Sequence, residues 1–226
     1  MKKIILLAIT CISLNSFGQK LKLGLKAGLN GATVKIEDNN TMGATVTPTS
    51  RASFHITGFT ELKLNNTFSI QPGISVSGKG FHQVYNVTFT ENNEYFNADM
   101  DAWMKVLYLE IPVNAIAKFQ AGKGHFFIGT GPYGGFAVSG KTESKATITS
   151  NSFNEKQSQK QNLKFGSSET DDLRRFDMGL NFLTGYEFKN GFLLGLNYGA
   201  GLKNISAENT AHLTNKVFSI SAGIIF

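Results

Sequence analysis

Over most of the chain, apolar and polar side chains take turns with a period of two. In residues 20–30, Leu21, Leu23, Leu25, Ala27 and Leu29 fall on one face, and Lys22, Gly24, Lys26 and Gly28 on the other. Successive side chains of a β-strand point to opposite sides of its sheet, so this spacing predicts a strand. The pattern returns with Phe54, Ile56, Leu62 and Leu64, with Phe68, Ile70, Ile74 and Val76, and with Leu107, Leu109, Ile111 and Val113. A glycine-rich segment at 125–139 is less regular. Three more runs follow, through Phe176, Met178, Leu180 and Phe182, through Phe192, Leu194, Leu196 and Tyr198, and through Phe218, Ile220, Ala222, Ile224 and Phe226. Eight strands are expected.

Connections alternate in length. Residues 64–67, 120–124 and 189–191 are short turns built on Asn and Gly, as tight hairpins need. Long polar loops are expected at about 37–51, 80–101, 141–174 and 206–215, the third rich in Ser, Lys, Gln and Glu and expected to be mobile. Short turns at one rim and long loops at the other fit an all-β, eight-stranded antiparallel up-and-down transmembrane β-barrel. An even strand number places both chain ends at the short-turn rim, which in such barrels is periplasmic.

The apolar faces are free of charge, whereas the opposite faces carry Lys22, Lys26, Glu61, Glu110, Arg175, Asp177, Glu187 and Lys203. A narrow eight-stranded interior cannot hold all the Phe and Leu side chains of the first set, so those face outward. A Lys or Arg facing lipid at mid-depth costs about 2–4 kcal/mol, so the ionised set faces inward. There Glu61, Glu110, Asp177 and Glu187 are expected to pair with Lys22, Lys26, Arg175 and Lys203 in a structural charge network. Phe59, Tyr108, Phe127, Tyr133 and Leu193 add bulk on the inward side. Aromatics near strand ends, among them Phe54, Phe68, Phe126, Phe188 and Phe192, suit interfacial girdles.

The first residues change the picture of where the chain resides. Lys2 and Lys3, the apolar stretch at 4–14 and the small-x-small site Ser16-Phe17-Gly18 have the three parts of a secretory leader. Residues 1–18 are read as signal peptide and 19–226 as the barrel domain. The apolar stretch is shorter than the ~20 residues of a membrane helix, and no later run is apolar enough to be one. Cys11 lies inside the leader behind Thr10, a poor lipobox, so the mature chain carries neither disulfide nor thiol chemistry.

Composition agrees. The 226 residues include 24 glycines and 19 phenylalanines against four prolines and one tryptophan, a mixture suited to strands that pack closely. The net charge of +6 comes from scattered lysines, which argues for a solvated surface and no nucleic-acid partner.

Candidate chemistry is sparse. His55, His82, His125 and His212 have no ligand spacing, so no metal site is expected. Gly129-Thr130-Gly131-Pro132-Tyr133-Gly134-Gly135 lacks the Lys-Ser/Thr of a phosphate loop and reads as a strand. Glu110 reads as a paired structural charge, and no catalytic residue or cofactor is expected.

Gly24-Leu25-Lys26-Ala27-Gly28-Leu29-Asn30, Phe68-Ser69-Ile70-Gln71-Pro72-Gly73, Tyr108-Leu109-Glu110-Ile111-Pro112, Gly131-Pro132-Tyr133-Gly134-Gly135-Phe136 and Gly185-Tyr186-Glu187-Phe188 occur in that order. With them the chain resembles the small outer-membrane β-barrel family called PorT-like. That resemblance implies an eight-stranded outer-membrane barrel, for many members without an assigned activity; its namesake is linked to protein secretion and maturation. Phe218, Ile220, Ile224 and Phe226 resemble the terminal signal read by the barrel-assembly machinery. The expected location is the cell outer membrane, with lipid, that machinery and an envelope or extracellular protein as partners. The expected role is non-enzymatic, structural or binding, exerted through the long loops. A narrow porin or small-solute channel is the alternative, motivated by Gly- and Ser-rich inward faces.

Overall fold

The computed structural model describes residues 21–38, 48–91, 94–150, 154–168, 170–208 and 211–226; the expected leader, with Cys11, lies outside them. The strands are β1 (Leu21–Asp38), β2 (Arg51–Lys63), β3 (Phe68–Glu91), β4 (Glu94–Ala121), β5 (Gly124–Ser150), β6 (Asn154–Asn162), β7 (Phe176–Glu187), β8 (Phe192–Gly201) and β9 (Ala211–Ile225). All neighbours are antiparallel. Eight strands close a ring in the order β1, β2, β3, β4, β5, β7, β8, β9, with β9 returning to β1. The first and last strands meet from Gly24↔Ile225 to Asp38↔Ala211. The ninth strand, β6, stands outside the ring and pairs with β5 from Lys141↔Asn162 to Thr149↔Asn154.

The period-two reading gives the faces correctly. Asn30, His55, Glu61, Ser75, Tyr108, Tyr133, Asp177, Leu193 and Ser219 are buried inside the ring. The outward row stays open, with Leu29 72%, Ile111 60% and Ile220 59% exposed. Within the ring, no outward position between Leu21 and Leu29 on β1, or between Phe218 and Phe226 on β9, is ionised. Eight residue steps at about 3.3 Å, on strands tilted by about 40°, give a belt roughly 20 Å tall, close to that of a lipid-facing barrel.

The expected tight turns are present at one rim, whereas strands replace much of the loops expected at 80–101 and 141–174 at the other; most of the loop expected at 37–51 lies outside the described residues. Three tight turns join β2 to β3, β4 to β5 and β7 to β8. In the first, Asn65 Oδ1 accepts the N–H groups of Thr67 and Phe68, both at 2.8 Å. In the last, Gly191 has φ +83°, and a Cβ there would lie 2.3 Å from the Ile225 carbonyl oxygen. Only glycine fits both conditions.

At the opposite rim, residues 80–101 are not a loop. β3 and β4 continue beyond the belt as a hairpin paired from Gly80↔Lys105 to Glu91↔Glu94. The outer half of β5 pairs with β4 from Phe96↔Ser150 to Lys105↔Lys141, and β6 adds a fourth strand. A four-stranded ribbon therefore rises from the barrel. Residues 141–174 are correspondingly not one mobile loop, since they supply half of this ribbon. β6, Asn-Glu-Lys-Gln-Ser-Gln-Lys-Gln-Asn, holds no apolar residue, so alternation cannot reveal it.

Candidate functional site

The barrel interior is built in layers. At the short-turn end, Phe59 from β2, Leu193 from β8 and Ile225 from β9 form a buried apolar floor. Gly24 makes room for it: a Cβ there would lie 2.3 Å from the Phe59 ring. Likewise a Cβ on Gly179 would lie 2.7 Å from the Tyr133 ring edge. Small inward residues here accommodate large rings from facing strands.

Beside the floor, the Lys118 ammonium contacts both the Glu61 and the Glu187 carboxylates, and Gln71 Nε2 donates to Glu61 Oε2 at 2.8 Å. Higher up, Lys79 Nζ lies 2.6 Å from Glu110 Oε1 and 2.8 Å from Asp177 Oδ2. Asn215 Nδ2 and the Tyr133 hydroxyl donate to the same Asp177 oxygen at 2.9 and 3.3 Å. The Lys79 ammonium also faces the Tyr133 ring at 4.2 Å and the Tyr108 ring at 5.2 Å. Glu61 and Asp177 are wholly buried. Two carboxylates around each ammonium pair charges that would be costly to bury alone, while Glu61 Oε1 and Asp177 Oδ1 have no hydrogen-bond partner among the described residues.

On the β1–β2–β3 side, uncharged groups fill the wall. Asn30 Nδ2 donates to the carbonyls of Phe54 and Gly78 at 3.1 Å and to Ser77 Oγ at 3.2 Å. Its Oδ1 accepts from His55 Nδ1 at 2.7 Å and from Ser219 Oγ at 2.8 Å. The cavity between this wall and Lys79 measures about 60 Å³, and a second near the floor about 20 Å³. These are water-sized spaces, far below the ~300 Å³ at which small-molecule sites begin.

The upper end is closed by apolar residues. Leu163 and Leu173, from the segment between β6 and β7, and Ile205, from the β8–β9 connection, pack on Val106, Tyr108 and Ala137. Leu173 is tied by bridges to Phe165 and Ser206, and Arg174 N–H donates to the Ile205 carbonyl at 2.8 Å. The loop expected to be mobile thus provides the lid.

The eight expected network residues divide. Glu61, Glu110, Asp177 and Glu187 are inside and paired. Lys22 and Lys26 also face inward, Lys22 beside Glu61 and Glu187 in a groove at the short-turn rim, Lys26 at 5.8 Å from the Phe59 ring. The charges that pair the carboxylates are however Lys79 and Lys118, both missed in the sequence, although each continues an inward phase (Ser75, Ser77, Lys79; Asn114, Ile116, Lys118). Arg175 and Lys203 do not enter the interior. They lie just beyond the ends of β7 and β8, where the ladder no longer dictates direction. Arg175 sits over Phe136 and Phe165 at 5.8 and 5.4 Å, and Lys203 over Phe176 at 4.4 Å. Phe218, Ile220, Ile224 and Phe226 all point outward from β9.

Nothing gathers the histidines. His55 is inside; His82 stacks on Trp103 in the ribbon at 4.8 Å and meets Asp101 at 3.0 Å; His125 and His212 begin other strands. Among the described residues no group of three or more His, Cys, Asp or Glu could hold a metal.

A search of curated proteins finds no match. Among solved structures, the chain is similar to Ail, the attachment invasion locus protein of Yersinia pestis, at 13% identity and TM-score 0.37 over 91% of this chain and 98% of that one. It is similar to Neisserial surface protein A at 14% identity and TM-score 0.37, over 90% and 95% of the two chains. Likeness to OprG of Pseudomonas aeruginosa is at 12% identity and TM-score 0.36, over 92% and 97%. Similarity at this level bears on neither ligand nor partner. The family assignment comes from the sequence, since the model of the outer membrane protein beta-barrel domain matches residues 16–207. The chain belongs to the outer membrane protein beta-barrel domain family.

Proposed function

We propose that this protein is a closed, non-enzymatic outer-membrane barrel that acts through the ribbon and lid at its long-loop rim. The carrying observation is the occluded lumen: an apolar floor, two ion-pair clusters and an apolar lid lie one above another. That sequence of layers counts against the narrow-porin reading. Because each ammonium holds two carboxylates, conduction would require breaking several buried ion pairs.

In this reading the short turns and both chain ends are periplasmic, and the ribbon stands outside the cell. The leader delivers the chain to the periplasm, and the outward row Phe218, Ile220, Ile224 and Phe226 is presented to the barrel-assembly machinery. The ribbon offers two unlike faces. Tyr85, Met100, Met104 and Ile148 share one; His82, Asp99, Asp101, Trp103 and Lys145 share the other. Such a two-sided sheet suits contact with an envelope or extracellular protein, and a link to secretion is the form suggested by the PorT-like resemblance.

Planar-bilayer recording tests the closure. Purified protein is expected to give no steady conductance above the bare bilayer. A steady, large conductance would favour the channel.

A further inference from the structure

We infer that the mouth of the barrel at the short-turn rim binds a carboxylate of an acidic peptide segment. In the inward phase Lys22 precedes Gly24 on β1, and Glu61 and Lys63 follow Phe59 on β2. These groups therefore lie on the rim side of the apolar floor. With Asn65, Ser69, Lys118 and Glu187 they line one groove of about 70 Å³. The register joins them, since Lys22 is the direct partner of Glu61, and Lys63 of Ser69.

The groups left over in this groove are donors. Lys118 is engaged by both carboxylates, whereas neither Lys22 nor Lys63 forms an ion pair among the described residues. Asn65 Oδ1 accepts two turn N–H groups, which leaves its amide nitrogen as a donor. Ser69 is 3% exposed, and its hydroxyl has no hydrogen-bond partner among the described residues. A buried hydroxyl of this kind costs free energy until a ligand or water meets it. Two ammonium groups, an amide N–H and that hydroxyl border a space sized for one small group. Such a donor set recognises an anion.

Charge selects which anion. Three ammonium groups against two carboxylates leave a single positive charge in the groove, which suits a monoanion. Glu61 and Glu187 repel a dianion such as phosphate more strongly. The groove faces the barrel axis and not lipid, so its ligand arrives from the aqueous side. The turns around it carry Lys123 and Lys189 and no Asp or Glu, which favours an acidic segment over an isolated carboxylate.

The binding claim needs only the barrel. That the partner is periplasmic rests on the orientation proposed above, and bilayer conductance tests the closed barrel independently of peptide binding. Fluorescence anisotropy of the folded protein in zwitterionic detergent would be measured with a labelled Glu-Ser repeat peptide and its Gln-Ser analogue. The wild-type protein is expected to bind the first and not the second. K22Q/K63Q is expected to weaken binding about tenfold, the equivalent of one charge-assisted contact. S69A should weaken it about fivefold. K123Q/K189Q, outside the groove, should stay within about twofold at physiological salt. Folding of each variant is checked by heat-modifiable gel mobility. Equal binding of the two peptides would overturn the proposal, as would wild-type affinity in K22Q/K63Q or S69A. So would an equal loss in K123Q/K189Q, the mark of diffuse rim charge, or displacement of the peptide by micromolar inorganic phosphate, the mark of a phosphate site.

Discussion

Lys79 and Asp177, 98 residues apart in sequence, meet inside the barrel at 2.8 Å, and Glu110 completes the contact from β4. The three come from β3, β4 and β7, so the ion pairs tie β7 to two strands with which it shares no ladder. Lys79→Met removes the charge at similar length and leaves two carboxylates facing each other in a buried site. The expected loss is about 3–5 kcal/mol, read from urea unfolding in detergent. K79M/E110Q/D177N should recover much of it, because no buried charge is left unpaired.

Glu61→Ala and Glu110→Ala separate a structural plug from a selectivity filter. Both are expected to lower the unfolding midpoint and leave planar-bilayer conductance at baseline. The floor of Phe59, Leu193 and Ile225 and the lid of Leu163, Leu173 and Ile205 remain closed in either variant.

Depth along β1 provides a test of the outward face. Leu25 lies midway along the outward row and Leu21 at its end. Leu25→Arg should cost about 2–4 kcal/mol in phospholipid vesicles, and Leu21→Arg about 0–1 kcal/mol. Equal costs at the two positions would mean that the row does not face hydrocarbon.

The ribbon begins at a backbone position that tolerates no side chain. Gly80 has φ +128°, and a Cβ there would lie 1.9 Å from the Met104 carbonyl oxygen. Gly80→Ala should destabilise the base of the hairpin by about 1–3 kcal/mol. Faster amide exchange at residues 81–91 and 94–104, with the lower barrel unchanged, would be the signature.

Above the belt, the Lys105 hydrogen bond, at 2.6 Å, holds the Glu143 carboxyl below its ordinary range, with Lys160 and Lys145 adding to the effect. A carboxyl depressed on folding adds stability above its ordinary pKa, and that contribution is lost as pH falls through the lowered value. Amide protection along residues 141–149 should therefore drop as the pH falls from above the ordinary carboxyl range to below it. Lys105→Met should flatten the dependence.

How far the sequence alone reaches follows from what alternation can encode. Where one face meets lipid and the other a packed interior, every side chain reports its side, so Leu21 to Leu29 and Phe218 to Phe226 could be oriented without coordinates. The same rule places Lys79 and Lys118 inward. Neither stands out in the sequence: Gly78 and Gly80 flank the first, and the second stands near the end of β4. Beyond the belt both faces of a strand meet water, the pattern fades, and β6 is invisible. Pairing partners are a matter of register and ring closure: nothing near Asp177 in sequence identifies Lys79. Arg175 and Lys203 show the converse, since parity beyond the end of a ladder does not fix direction.

The inside-out barrel is tested most directly by gel mobility of the mature protein in isolated outer membranes, with and without boiling. Recovery in that fraction, with an unboiled band that shifts on heating, is the predicted result. A protein that stays folded and monodisperse in detergent-free buffer, with no heat-dependent shift, would contradict it.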